Sequence, residues 1–309
     1  MRRYETPISD SARWDCYRPR PGDVIVTTAP KCGTTWTQML CALLIHGPEL
    51  PAPLTRLSPW LDRLAKPVEA VVGELDAQPW RRIIKTHTPL DGLPWFDEVS
   101  YVFCGRDPRD AFLSLIDNLG NTSTTTRGEV FARIGAPKGF EFPSDPNDFF
   151  RVWMTVPTHA WVEDGFPVGS VFAAARAIWP WRCAPNVHLL HYRDLTCSLE
   201  GEARRLAAFL KAPFDLRAWR AMAGAASFAA MRARAHETAP GAHLGEWADD
   251  AVFFKQARLD AWREALNPEN QALYEELAPA RAEPALRAWL EGGRRAAGDP
   301  ACADAPGAA

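Results

Sequence analysis

The sequence predicts an α/β fold: a single domain with a central parallel β-sheet flanked by helices, and a P-loop-like anion-binding turn after its first strand. Two observations carry that prediction. Short apolar runs, Val24–Val26, Arg81–His87, Ser100–Cys104 and Val187–Tyr192, alternate with stretches of helical periodicity, the order that builds a parallel sheet covered on both faces. Each run also ends beside a cation, a histidine or a tyrosine. Ligands of such sheets bind beyond the carboxyl ends of the strands, so Lys31, Lys85, His87, Arg106 and Tyr192 are expected to share one cleft.

Residues 1–22 read as an irregular lead-in closed by R-P-R-P-G, whose prolines and glycine punctuate the approach to the first strand. That strand is β-branched and suited to burial on both faces. It breaks at Pro30 and Gly33 and gives way to a helix with Trp36, Met39, Leu40, Leu43 and Leu44 on one face. The first N–H groups of such a helix are unpaired and its dipole adds positive potential, which together make an anion site. Lys31 supplies a full charge, Thr34 and Thr35 supply hydroxyls, and Gly33 lets a bulky oxyanion approach the backbone. Phosphate or sulfate would fit. The alternative is a plain strand-to-helix turn with a solvated lysine. Because Lys31 precedes the glycine, the Walker spacing is not met and an ordinary ATPase or GTPase is disfavoured. Cys32 reads as a small residue that fits the turn in preference to a catalytic thiol.

The proline-rich stretch Gly47–Pro59 is expected to be loop, and Trp60–Leu64 a short helical piece. Arg81–His87 is the second strand, and on it Lys85 and His87, two apart, fall on one face. The third strand, Ser100–Cys104, turns through Gly105, Arg106, Asp107 and Pro108 into a helix, with Asp107 as N-cap and Pro108 in its first turn. Arg106 therefore stands at a second anion site, or else in a salt bridge to Asp107 or Asp110. Ser114 lies two turns on, off the apolar stripe, as a ligand or a surface hydroxyl. Residues 118–148 read as a long loop, Phe149–Trp181 as mostly helical, and 236–250 as loop. The fourth strand, Val187–Tyr192, precedes a helix over Ser198–Leu210, and a further helix is expected around Gln271–Leu277.

Composition narrows the function classes. The 309 residues, 47% hydrophobic and 24% charged, can bury a large core. A net charge of −3 offers no general attraction to nucleic acid or membrane. No apolar leader or membrane-spanning run is present, so the chain is expected to be soluble and cytoplasmic. Seven cysteines without a C-x-x-C pair suit reduced thiols, and no His/Cys cluster has metal-ligand spacing.

Together these segments resemble the cytosolic sulfotransferase family, in a bacterial member. R-P-G-D-V-I-V-T-T-A-P-K-C-G-T-T-W-T-Q is similar to the family's 5'-phosphosulfate loop, I-K-T-H-T-P-L-D-G-L-P to the segment of its catalytic histidine, and Y-V-F-C-G-R-D-P-R-D-A-F-L-S to its 3'-phosphate strand and helix. Tyr192 in L-H-Y-R-D-L, and Ser227 and Phe228 in A-S-F-A-A-M, match nucleotide-contacting positions. The resemblance spans roughly residues 14–266, within a sulfotransferase domain expected over 1–291, and the Gly/Ala/Pro-rich stretch 292–309 is expected to be a disordered tail. Near the end it departs from the pattern. Where the family has F-F-R-K-G, this chain has F-F-K-Q-A, so Lys255 keeps a charge without the bidentate fork, and Gln256 and Ala257 replace lysine and glycine. A family dimer motif is not recognisable, and the oligomeric state stays open.

The resemblance implies in-line transfer of a sulfuryl group from 3'-phosphoadenosine 5'-phosphosulfate (PAPS) to an acceptor hydroxyl, without metal, leaving adenosine 3',5'-bisphosphate (PAP). His87 would be the general base, with Lys31 and Lys85 meeting the charge on the leaving oxygen. Trp36 would stack on the adenine, Arg106, Ser114 and Lys255 would hold the 3'-phosphate, and residues 31–35 the 5'-phosphosulfate. A lipophilic small-molecule acceptor, a phenol or another alcohol, is expected from Trp60, Phe140, Phe142 and Phe149. Two rival readings are a nucleotide-binding relative without turnover, suggested by the K-Q-A loop, and a phosphotransferase on the same anion turn.

Overall fold

The computed structural model describes residues 1–136, 141–254 and 259–301. Four parallel strands, β1 (Val24–Thr27), β2 (Ile83–Thr86), β3 (Ser100–Gly105) and β6 (Val187–His191), form one sheet in the order β2-β1-β3-β6. All four sequence-predicted strands are therefore present. Pairing runs in register, Val24 to Ile83 on one side of β1 and Val24 to Ser100 on the other. Because β1 is followed by a neighbour on each side in turn, the order reverses at β1 and β3, and a crevice opens beyond their carboxyl ends. One apolar cluster lies on each face of the sheet, the larger around Trp14, Phe112, Phe150 and Trp289, the other around Leu40, Leu206 and Trp219. At the opposite end of the strands, buried Arg82 grips Asp23 through Nε at 2.9 Å, and the Tyr17 hydroxyl donates to the same carboxylate at 2.7 Å.

Several expectations are corrected. Residues 118–148 contain a helix, Thr124–Arg133, capped by Ser123 accepting from Thr126 N–H. It buries no residue, so it has no apolar stripe to show in the sequence, and its Thr/Ser start is a cap. The helical piece expected at Trp60 lies earlier, at Leu54–Leu57 behind Pro53, while Trp60 itself bridges to Lys85 in the manner of a strand. A hairpin of β4 (Pro157–His159) and β5 (Val162–Gly165) interrupts the stretch read as helical; strands this short give too few residues for a period of two to register. A short helix, Ala235–Thr238, stands in the stretch read as loop. The tail expected from residue 292 is placed as far as residue 301. Its helix Arg294–Ala297 is held by Arg294 Nη2 donating to the buried Glu202 carboxylate at 2.6 Å and by Arg294 N–H donating to Asp194 at 2.7 Å.

Candidate active site

The cleft at the carboxyl ends of the sheet is built around the turn between β1 and the Thr34–His46 helix. Lys31 adopts a left-handed φ of 64° and Gly33 one of 101°, a path that swings the chain back over the strand end. A Cβ on Gly33 would stand 3.1 Å from the Tyr192 ring and 3.2 Å from Cys104 Sγ, so both backbone freedom and space require glycine there. Gly33 offers no side chain to cap the helix, and the first N–H groups of the helix stay available to an anion. Among the described residues Thr34 Oγ1 and Arg106 Nε are buried without a partner. Buried donors in this state mark a place for an oxyanion.

Lys31, Gly33, Thr34, Thr35, Trp36, Lys85, His87, Arg106, Ser114, Tyr192 and Phe228 all line this one cleft. Cys32 does not. Its side chain is fully buried in the core, its N–H is bonded to Ala29 O at 3.2 Å, and burial pushes its thiol up to about 12. Ser227 is also absent from the lining: it caps the Phe228–Ala233 helix, donating to Gly224 O and accepting from Ala230 N–H. It thereby places Phe228, whose ring meets Trp36 edge-on at 4.8 Å, while Tyr192 meets Trp36 at 5.5 Å. The Trp36 indole N–H is held by Ala226 O at 3.0 Å. Together the three rings make a fixed aromatic wall suited to a flat heterocycle. Lys255, Gln256 and Ala257 lie outside the described residues, as does Phe140. Of the other proposed acceptor aromatics, Trp60 and Phe142 line the cleft and Phe149 is buried in the core.

Arg106 is not in a salt bridge with its own helix. Asp107 is taken by Arg109 at 2.8 Å, and Asp110 accepts N–H groups of Asp260 and Trp262. Instead Arg106 Nη1 donates to Lys31 O at 2.8 Å and its guanidinium lies 4.3 Å from the Tyr192 ring centre. It braces the anion turn, and its Nε has no partner among the described residues.

His87 donates from Nδ1 to Thr28 O at 2.6 Å. A carbonyl only accepts, so the proton resides on Nδ1 and Nε2 carries the lone pair. Burial, then Lys85, Lys31 and Arg63, hold the imidazole well below its usual pKa, and the ring is neutral at pH 7. Burial, followed by Arg106, brings Lys31 down to about 7, and burial, followed by Arg63, does the same to Lys85. Lys85 Nζ lies 4.1 Å from the Trp60 ring centre and Lys31 Nζ 4.4 Å from that of Phe253. This is a cationic cluster short of an anion.

Two further residues of the cleft, Arg63 and Glu246, pair at 2.7 Å. Sequence reasoning missed both, because they come from segments without periodicity that meet only in the folded chain. Among the described residues no group of His, Cys, Asp or Glu is placed to hold a metal, and no helix is long and apolar enough to cross a membrane.

Residues 21–280 match the family model described as a sulfotransferase domain. The chain belongs to the sulfotransferase family. It is a sulfotransferase by that membership, and the family's donor is PAPS. A Mycobacterium bovis protein named glycolipid sulfotransferase is 38% identical over 94% of each chain, and one of the same name from Mycobacterium tuberculosis is 37% identical over 94% of each. Among solved structures, a mouse sulfotransferase complexed with PAP aligns with a TM-score of 0.64 at 16% identity over 89% of each chain. Retinol dehydratase in complex with retinol and PAP aligns with a TM-score of 0.68 at 19% identity over 89% of this chain and 87% of the other. At these identities the two structures establish the fold.

Proposed function

We propose that this sulfotransferase transfers the sulfuryl group of PAPS to a hydroxyl of an amphiphilic acceptor of the glycolipid kind, with His87 as general base. The observation that carries the proposal is the neutral His87, its Nδ1–H fixed on Thr28 O, beside Lys31 and Lys85 in one cleft. The N-terminal N–H groups of the Thr34–His46 helix, Thr34 Oγ1 and Lys31 would hold the 5'-phosphosulfate. Arg106 and Ser114 would hold the 3'-phosphate, and Trp36, Tyr192 and Phe228 the adenine. Bound there, PAPS supplies an activated sulfuryl group. His87 Nε2 takes the acceptor proton, and Lys31 and Lys85 meet charge as it develops on the leaving oxygen.

The acceptor side supports an amphiphile. Leu115, Leu119, Val130, Phe131, Phe142 and Val168 line it with apolar surface, interleaved with Asn118, Thr122, Thr126 and Arg127. The mycobacterial relatives named glycolipid sulfotransferases point the same way. Incubation with sulfur-labelled PAPS, comparing an alkyl glycoside, the free sugar and a simple phenol, tests the reading. Preferential labelling of the glycoside supports it, and labelling of the phenol alone overturns the acceptor class.

Two predictions follow from the geometry. Arg106→Ala is expected to weaken adenosine 5'-phosphate modestly, through the lost brace on Lys31, and PAP by roughly a further 10-fold, because a charge-assisted hydrogen bond contributes about 1.5–3 kcal/mol. Calorimetric titration of both nucleotides reads the difference, and equal losses would remove Arg106 from the 3'-phosphate. The second concerns pH. With Lys31 and Lys85 at about 7 in the donor-free enzyme, raising the pH past that point strips their protons, so kcat/KM for PAPS falls above about pH 7. Bound anion restores the protonated lysines, and kcat holds to higher pH. Parallel pH profiles of kcat and kcat/KM would refute this.

A further inference from the structure

Below the catalytic strand end lies a carboxylate that no step above uses. Asp62 is fully buried, yet it faces the sheet at the point where His87 leaves it. Its Oδ2 accepts from the Thr86 hydroxyl at 2.6 Å, the Thr88 hydroxyl at 2.5 Å and the Trp14 indole N–H at 3.1 Å. Thr86 Oγ1 in turn accepts from Thr88 N–H at 2.9 Å, and the Thr27 hydroxyl donates to Thr88 O at 2.8 Å. The residues on both sides of His87 are thus tied to one carboxylate oxygen, while Thr28 O holds the imidazole itself. Asp62 Oδ1 has no partner among the described residues.

We propose that Asp62 is a positioning residue for the transfer step: by holding Thr86 and Thr88 it aims His87, without touching donor or acceptor. A buried carboxylate with one oxygen unpaired is costly, and a core that needed only filling would be served by an apolar side chain. What the site receives for that cost is alignment. The groups acting on Lys85 are Arg63 and Lys31, which disfavour its charge, and Glu246 and Asp62, which favour it. Glu246 is already paired with Arg63. Asp62 also favours the charge of Arg13 and is the last of the contributions to Lys85. Burial raises its own pKa, and the hydroxyls of Thr86 and Thr88, with the Trp14 and Trp60 indoles, oppose that shift.

The inference rests on His87 as base, and the experiment separates the two. Asp62→Asn keeps volume and an accepting oxygen but loses the charge. Thr86→Val with Thr88→Val keeps the charge but loses the tether. For both, kcat is measured across pH alongside the Kd of PAP and the melting temperature. Asp62→Asn is expected to lower kcat about tenfold or more, because an amide oxygen holds the two hydroxyls less firmly than a carboxylate does. The double threonine variant is expected to lose comparable kcat, since it removes the same tether. In both, the Kd of PAP should stay within about twofold, as the tether lies away from the donor turn. Wild-type kcat in either variant overturns the proposal. So does a loss of kcat matched by loss of PAP affinity and stability, the mark of a carboxylate that only fills the core. His87→Ala is run in parallel. If it is inactive while Asp62→Asn is silent, the positioning role alone fails; if it stays active, the base assignment fails and the aiming role with it.

Discussion

Replacing His87 with alanine is expected to lower kcat by roughly 10²–10⁴-fold, the range over which a positioned general base contributes, while PAP binds as before. The expectation comes from the way the ring is held. Its Nδ1–H is committed to Thr28 O, its pKa is held well below 6.5, and it opens onto the same cleft as the two lysines. A neutral imidazole is the form a base needs, and it persists to lower pH than a solvated histidine would allow. The acid limb of kcat should accordingly lie below about pH 6.5 in the wild type. Steady-state kinetics on the labelled glycoside, with calorimetry for PAP, read both halves. A variant with near wild-type kcat would show that the acceptor loses its proton elsewhere.

Lys31→Met is expected to lower kcat/KM for PAPS by about 10²–10³-fold, comparable to removing one donor to a developing oxyanion. Methionine keeps the length of the chain and its contact with Phe253, so the loss would report charge. A second variant, Lys31→Gly, separates charge from backbone. Residue 31 has a φ of 64°, a region costly for a side-chain-bearing residue, and glycine there should raise the melting temperature while leaving activity as low as in Lys31→Met. A loss below about tenfold in kcat/KM, about 1.4 kcal/mol, would mean that the helix N-terminus and Lys85 hold the donor without Lys31.

The sequence by itself determined the four strands, the helix that follows the anion turn, and the placement of Lys31, Lys85, His87, Arg106 and Tyr192 on one edge. These are local properties: β-branched runs, helical periodicity and turn residues are written within a few positions of one another, and a parallel sheet brings strand ends together whatever its order. The Thr124–Arg133 helix escaped because it buries nothing, and the β4–β5 hairpin because its strands are too short. Cys32 lies in the quoted turn, but which residues of that turn face outward depends on a left-handed step at Lys31 that no sequence pattern announces. What only the tertiary structure decided is the electrostatic state of the site. The order β2-β1-β3-β6 sets His87 beside the Lys31 turn, the stretch around Trp60 brings Asp62 under the catalytic strand and Arg63 beside Lys85, and the segment after residue 240 carries Glu246 to Arg63. Burial then lowers both lysines and His87 together. Desolvation and ion pairing act through space between groups far apart in the chain, so the protonation states on which the chemistry depends exist only once the chain has folded.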